Sequence, residues 1–486
     1  MIRKLLRAPG RLAGMSTDTI ARHRRLLNGI PSQPNVSEPL PKRILTNPWT
    51  WITVVLTGIY AACLWSQYAL MTADIPVRDG TVPGINHSAI RDSFWFAMPT
   101  LIFWIVVFLI ADRFRPQRLL LWYLALGWGV AVATFLSLHI NTWASEQLSI
   151  GGDGDPTTGA RTAIYIAPFV EEAAKATVLF GIAMLVRYQV VTKLNGVALA
   201  GLSAAGFAFT ENIIYYARAI MYSSSQINTG DAEAAVRELV WLRGFWTAFG
   251  HPLFTMMTGL GLVVALRTHS KVIRVLAPLI GFLLAALLHM MFNSQATFAQ
   301  GPMRYVIYFA VALPLVASAV IYAVRQLFTE SRKIRARLTD YVRMGWLQPV
   351  DPETTSRVRR RAWALMVAAT RGWAVLRATL SLQRTLTELA YLRDAEVKGV
   401  IDAAGQARAT ELLYQARSLR GLAIDDPQGQ RLSLPTLRKA RPVDYPPPSY
   451  PGPAGLGGNW PAGPGSAPLG SQLYSRVDPK WGPPPG

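Results

Sequence analysis

Acidic and basic side chains interrupt four consecutive apolar segments of this 486-residue sequence. The first segment reads IAPFVEEAAKATVLFG and contains Glu171, Glu172 and Lys175. Residues three or four positions apart share one face of a helix, so Lys175 can pair with one glutamate and leave the other free. Neighbouring carboxylates differ in their affinity for protons, and one of them can therefore act as a base on water. The alternative is a salt-bridged group that serves helix assembly only.

The next three segments carry polar residues of their own. Glu211 and Asn212 lie in GLSAAGFAFTENIIYYA, and His251 precedes a proline in GFWTAFGHPLFTMMTGLGLVVA. The last segment, LIGFLLAALLHMMFNS, contains His289 and Asn293, four residues apart on one helix face. A single histidine or asparagine in such a segment often serves only to bond a neighbouring helix. Because hydrocarbon disfavours ionisable groups by several kcal/mol, the set as a whole indicates a functional site.

Two histidines, several carboxylates and an amide suit the activation of water for hydrolysis. A glutamate would take the proton from water, while a histidine or Asn293 would stabilise the oxyanion on a peptide carbonyl. The second histidine would protonate the leaving amine. The same residues permit a zinc ion, because His251, His289 and one glutamate are a known type of catalytic ligand set. The HExxH motif is absent, so the residues do not require a metal.

The segments that position these residues have the length that crosses a membrane. Hydrophobic residues make up 51% of the chain and charged residues 16%. Blocks of about 20 apolar residues match a hydrocarbon core about 30 Å thick. The sequence therefore predicts an all-α polytopic membrane protein, a bundle of about eight transmembrane helices. The predicted spans are 49–70, 93–111, 119–139, 163–186, 195–217, 244–266, 272–292 and 304–326.

The distribution of Lys and Arg predicts the orientation of these spans. Basic residues dominate the N-terminal segment, every second connection and the region after the last span, whereas the other connections are longer and more acidic. The positive-inside rule then places both termini in the cytoplasm, on the inner side of the cell (inner or plasma) membrane. Topology thus explains the net charge of +21, and we expect no nucleic-acid partner because no recognition motif accompanies the charge.

The polar groups of the four segments fall at a similar depth when about 1.5 Å of rise is counted per residue. Although consecutive spans run in opposite directions, four of the residues reach the outer half of the membrane: Glu172, Glu211, His251 and His289. Chance placement would not favour such agreement. We therefore expect one shared polar cavity that opens toward the extracytoplasmic side.

Composition divides the chain into four regions. We predict a cytoplasmic basic segment over 1–47, the membrane domain over 48–328, a cytoplasmic basic helical region over 329–425 and a disordered Pro/Gly-rich tail over 426–486. The helical region either rests on anionic lipid or stands free in solvent. The single cysteine, Cys63, excludes an internal disulfide framework and a cysteine-based zinc site.

Taken in chain order, these motifs resemble those of the PrsW family of intramembrane proteases. They are EExxK at 171–175, FxxxEN at 207–212, a histidine early in the next span, and HxxxN at 289–293. That family is similar to type II CAAX prenyl endopeptidases and, more distantly, to the gamma-secretase scaffold subunit. The resemblance covers roughly residues 45–330. Each motif alone is weak, but four of them in order on four spans are a specific match.

The resemblance implies a membrane-embedded peptidase that cuts membrane-tethered proteins, with anti-sigma-factor-like regulators cut on their extracytoplasmic side. It implies supporting roles for Lys175, Glu211 and Asn212, and catalytic roles for Glu171, Glu172, His251, His289 and Asn293. His251 and His289 are the candidate metal ligands. The family has been classed with metallopeptidases, whereas its CAAX relatives suggest a glutamate mechanism without metal, which we favour.

Two other functions use the same residue types. A proton-coupled transporter would employ carboxylates and histidines as a proton relay, but it predicts inverted repeats, and the two halves of the sequence show no similarity. A non-catalytic membrane scaffold needs no free base, whereas this sequence retains every motif. Hydrolysis therefore accounts for more of the observed residues than either alternative.

Overall fold

The computed structural model describes residues 39–77, 80–114, 116–148, 161–186, 190, 192–225, 232–298, 301–399, 401 and 403–432. Most of the predicted basic N-terminal segment and nearly all of the predicted Pro/Gly-rich tail lie outside the described residues. The chain forms two compact units, Met1–Leu327 and Phe328–Gly486.

Helices account for nearly all of the described part of the first unit. They are extended by π-helical turns at Trp128–Ala133, Thr162–Ile166, Leu242–Trp246 and Tyr308–Ala312. An antiparallel hairpin of β1 (Ile75–Val77) and β2 (Gly80–Val82) follows the second helix and was not predicted. The helices are α1 (Leu40–Leu45), α2 (Pro48–Thr72), α3 (His87–Ala111), α4 (Leu119–Gly127), α5 (Thr134–Leu148), α6 (Ala167–Val186), α7 (Lys193–Ser225), α8 (Ala232–Trp241), α9 (Gly250–Leu266), α10 (Lys271–Phe298), α11 (Met303–Ile307) and α12 (Leu313–Arg343), which belongs to the first unit as far as Leu327.

The all-α polytopic membrane fold is confirmed. Among the described residues, seven helices are long and apolar enough to cross a membrane. The predicted fourth span, 163–186, falls on α6 and the π-helical turn before it, which carry Glu171, Glu172 and Lys175. Because it carries these three charged residues, α6 is not among the seven candidate spans, although it is long enough to cross a membrane.

Helix α7 forms the centre of the first unit, and small residues allow its close packing. A Cβ on Gly206 would lie 2.4 Å from the Leu126 carbonyl oxygen, and one on Gly129 would lie 1.9 Å from the Ser203 carbonyl oxygen. At these two glycines, the backbone of α7 therefore touches the backbone of α4 and of the π-helical turn that follows it. Within a membrane the hydrophobic effect does not drive helices together, because the lipid is as apolar as the side chains. Close van der Waals contact between small residues drives their association instead.

The π-helical turn at Trp128–Ala133 provides carbonyl groups for neighbouring helices. The Val130 carbonyl accepts a bond from Thr210 Oγ1 on α7 at 2.8 Å, and the Ala131 carbonyl accepts one from Gln67 Nε2 on α2 at 3.0 Å. The Trp128 indole donates to the Ala174 carbonyl of α6 at 2.9 Å. These bonds connect the helix that carries the two adjacent glutamates to the centre of the bundle.

The second unit contains helices α13 (Asp351–Ser356), α14 (Val358–Thr370), α15 (Trp373–Val397) and α16 (Ala403–Leu419). Its buried core includes Ala364, Val367, Ala368 and Ile424. Burial lowers the pKa of the Arg361 guanidinium to about 10, and the group donates to Thr387 Oγ1 at 3.0 Å. The predicted helical region is thus helical, while its cytoplasmic location and its limits stay a prediction.

We expect Gly129→Ala to lower the free energy of unfolding by about 1–3 kcal/mol, because the added methyl group overpacks the contact between α7 and the π-helical turn at Trp128–Ala133. Thermal unfolding of the purified protein in detergent measures this change. The control is Gly181→Ala on α6, where a Cβ would meet nothing within 4 Å. Since alanine is the better helix former, the control should be neutral or up to about 1 kcal/mol more stable. Equal effects of both substitutions would contradict the packing described here.

Candidate active site

The two adjacent glutamates of α6 have different surroundings. Glu172 is fully buried and accepts hydrogen bonds from Thr255 Oγ1 at 2.6 Å, Lys175 Nζ at 2.9 Å and His289 Nδ1 at 3.1 Å. With three donors around it, this carboxylate is held in place. In turn, it orients the side chains of Thr255, Lys175 and His289.

Glu171 lines a cavity of about 580 Å³ and has only longer contacts. Its carboxylate lies 3.4 Å from Asn141 Nδ2, 3.4 Å from Lys175 Nζ and 3.8 Å from His289 Nε2. Glu211, His251, His289 and Asn293 line the same cavity. Of the two adjacent glutamates, Glu171 is therefore the one that a water molecule in the cavity can reach.

Lys175 is fully buried and joins the glutamates to a histidine. Its ammonium group lies 2.9 Å from His251 Nδ1 and 4.0 Å from the centre of the Phe207 ring. Because an ammonium can only donate, Nδ1 must accept, and the proton of the neutral ring is on Nε2. That nitrogen then donates to Glu211 at 2.8 Å.

Arg243 completes the environment of Glu211. Its Nη2 donates to the Glu211 carboxylate at 2.7 Å, and its Nε donates to Asn212 Oδ1 at 2.8 Å. Its guanidinium group lies 3.9 Å from the centre of the Tyr215 ring. Arg243 directly precedes the predicted span 244–266 and was not among the predicted site residues. The π-helical turn Leu242–Trp246 brings it to the site.

His289 is oriented by Glu172 and by aromatic rings. Since the Glu172 carboxylate accepts, Nδ1 of the histidine donates, and the neutral ring has its lone pair on Nε2, on the side of Glu171. The ring stacks on Phe254, with centres 5.3 Å apart, and meets His251 edge-on at 5.0 Å. The lone pair is thereby fixed in direction.

The structure brings every predicted site residue into one connected network except Asn293. The Asn293 amide donates to the Ala163 carbonyl at 2.8 Å and forms part of the cavity wall. Asn141 and Thr255, like Arg243, were not predicted from the sequence. Thr255 lies four residues after His251 on the same helix face, a spacing that could have revealed it; nothing in the sequence pointed to Asn141.

The site has a group of side chains that could hold a metal ion: Glu171, His251 and His289, with donor atoms within 4.8 Å of one another. The residue types fit a zinc ion. The arrangement of these residues does not fit a zinc ion, because both ring nitrogens of His251 already have partners. Lys175 lies on one side of the ring and Glu211 on the other. A metal that bound His251 would have to displace one of them.

Part of this chain matches a known protein family. Residues 115–319 match the PrsW family, described as intramembrane metalloproteases. The matched segment includes α6, α7, α9 and α10, which carry the predicted site residues. Comparisons with curated proteins and with solved structures give no match.

Replacing Arg243 with Met should lower the free energy of unfolding by about 1–3 kcal/mol, because Glu211 then loses a close cationic partner away from bulk water. Both side chains keep about a fifth of their surface exposed, which limits the loss. Adding Glu211→Gln should recover part of it, since the stranded charge is gone. Thermal unfolding in detergent gives the values.

The matched control is Arg237→Met, which breaks the exposed pair between Arg237 and Glu233. A surface pair of this kind contributes no more than about 1 kcal/mol. If Arg243→Met were as harmless as this control, the bond between Arg243 and Glu211 would have no structural importance.

Proposed function

We propose that this chain, whose residues 115–319 match the PrsW family of intramembrane metalloproteases, hydrolyses a peptide bond with a water molecule that Glu171 activates. The observation that carries the proposal is the contrast between the two glutamates. Glu172 is fully buried and bonded by three donors, whereas Glu171 lines the cavity with only long contacts. A general base must be able to reach its water molecule.

The gap between Glu171 and His289 suits the attacking water. The Glu171 carboxylate and His289 Nε2 are 3.8 Å apart, and both are acceptors when the ring is neutral. A water molecule that bonds to both, at about 2.8 Å from each, donates its two hydrogens to them. Its oxygen lone pairs then point away from both acceptors, toward a substrate carbonyl in the cavity.

The reaction follows from this geometry. Glu171 takes a proton from the water as its oxygen bonds to the peptide carbonyl carbon, which forms a tetrahedral oxyanion. The amide groups of Asn141 and Asn293, on the cavity wall, donate hydrogen bonds to that oxyanion. When the carbon–nitrogen bond breaks, the protonated Glu171 returns its proton to the leaving amine. Glu171 ends the cycle ionised, ready for another water.

The other charged residues keep the reacting groups in place. Glu172 fixes the ring of His289, and Lys175 bridges the glutamates and His251. Arg243 and Glu211 hold His251 from the other side. None of these roles requires contact with the substrate.

The substrate class that we propose is a protein tethered to the membrane by a single span, such as an anti-sigma-factor-like regulator. This choice comes from the family resemblance and from the predicted depth of the site. With both termini in the cytoplasm, as the positive-inside rule predicts, the cavity would open to the extracytoplasmic side of the cell membrane. The substrate must lose helical structure at the cut, because a helix keeps its carbonyl groups bonded within itself.

We expect Glu171→Gln to abolish cleavage, with a loss of about 10²–10⁴-fold, because glutamine has the shape of the base without its proton affinity. The measurement is quantitative membrane proteomics of the source organism. A deletion strain complemented with Glu171→Gln should accumulate the same uncleaved single-span proteins as the uncomplemented deletion strain.

The matched controls are Glu238→Gln, an exposed glutamate on α8, and His139→Ala, an exposed histidine outside the cavity. Both should restore cleavage in the deletion strain to the level of the wild type. His289→Ala should fail to restore it. Full cleavage by the Glu171→Gln protein, at normal expression in the membrane, would contradict the proposed mechanism.

Asn293→Ala should lower kcat by about 10²-fold with little change in KM, as expected for a donor that bonds the transition state only. The assay uses the purified protein and one substrate found by proteomics, both reconstituted in liposomes. Asn195→Ala is the wrong control because Asn195 bonds buried Asp112. The control is Gln147→Ala, which removes an exposed amide on α5 outside the cavity wall. An unchanged kcat for Asn293→Ala would remove this residue from the oxyanion site.

A further inference from the structure

The ammonium group of Lys175 lies among the atoms that a catalytic metal would need. It approaches Glu171 at 3.4 Å and His251 Nδ1 at 2.9 Å, and both residues belong to the group that could hold a metal ion. Lys175 is also fully buried. Its charge therefore cannot be moved into bulk water without a rearrangement of the helix bundle.

The lone pair of His251 Nδ1 has one direction, and the N–H of Lys175 is on it. A zinc ion would bind that lone pair at about 2.0–2.1 Å, which puts the metal between the nitrogen and the ammonium. Two such cations cannot share this space. A metal cannot bind the other ring nitrogen instead, because that nitrogen donates to Glu211, whose carboxylate also accepts a bond from Arg243.

Charge balance supports the same conclusion. Glu171 and Glu172 are two carboxylates beside one ammonium, and Thr255 and His289 supply further hydrogen bonds. Without Lys175, the remaining residues would be two carboxylates and two histidines in an apolar interior. That set is of the kind that binds zinc, and its uncompensated charge would favour a cation.

We infer that Lys175 is the built-in cation of this site and keeps a divalent metal out of the group formed by Glu171, His251 and His289. The chain thus departs from the metal-dependent chemistry in the description of the matched family. The exclusion of a metal does not depend on the proposed peptidase function. Only its consequence for catalysis rests on that function. Whether the protein binds a metal is a separate measurement that needs no substrate.

The test compares metal binding by the wild type and by Lys175→Met. Each full-length protein is purified in detergent with an affinity tag that contains no histidine, titrated with Co²⁺, and analysed for bound metal after gel filtration. We expect the wild type to bind no cobalt at this site. Lys175→Met should bind about one ion per chain, with the visible absorption of a tetrahedral site, and His289→Ala in the same protein should abolish this binding.

Two further variants keep the test decisive. Lys175→Arg retains the positive charge and should exclude cobalt as the wild type does. Lys175→Met combined with Glu172→Gln removes one carboxylate together with the ammonium, which lessens the danger of misfolding and leaves the three candidate ligands. If Lys175→Met does not fold, this double variant should bind the ion.

Two results would overturn the inference. One is a wild type that binds one cobalt ion per chain, lost on His289→Ala. The other is a folded Lys175→Met, or a folded double variant, that binds none. Neither result depends on cleavage, so failure of the inference is distinguishable from failure of the peptidase function, which Glu171→Gln tests.

Discussion

The rest of the site depends on the bonds that the ammonium group of Lys175 makes to its neighbours. A charge in the interior of an apolar helix bundle must be compensated within the protein, because neither lipid nor water can solvate it there. Lys175 meets this requirement through Glu172, Glu171 and His251. Each of these partners needs the ammonium in turn, so the groups form one network and not a set of separate pairs.

This network constrains the helices that carry it. The Ser203 hydroxyl on α7 donates to the Lys175 carbonyl at 2.9 Å, and the Trp128 indole donates to the neighbouring Ala174 carbonyl. The turn of α6 that holds both glutamates is thus fixed by its backbone as well as by its side chains. Small residues on α7 permit the close approach that these bonds require.

Sequence reasoning predicted the membrane fold from hydropathy, and from helical spacing it predicted a set of site residues that the structure joins in one network, Asn293 excepted. It could not separate the roles of Glu171 and Glu172, since that distinction depends on which neighbouring helices face each carboxylate. Spacing allowed Lys175 to pair with either one, and the structure pairs it with both and with His251. Arg243 was missed for a similar reason: π-helical turns shift a residue around its helix, and no residue pattern in this sequence announces them.

The two histidines of the cavity differ because their neighbours differ in charge. His251 faces an ammonium through Nδ1, so its proton is on Nε2 and is committed to Glu211. His289 faces a carboxylate through Nδ1, so its lone pair is on Nε2 and is directed toward Glu171. The position of Lys175 and Glu172 on one helical turn therefore decides which nitrogen of each neutral ring carries the proton. A metal in place of the ammonium would bind the same lone pair of His251 Nδ1 and leave the proton on Nε2, so the tautomer of His251 is one that either cation requires.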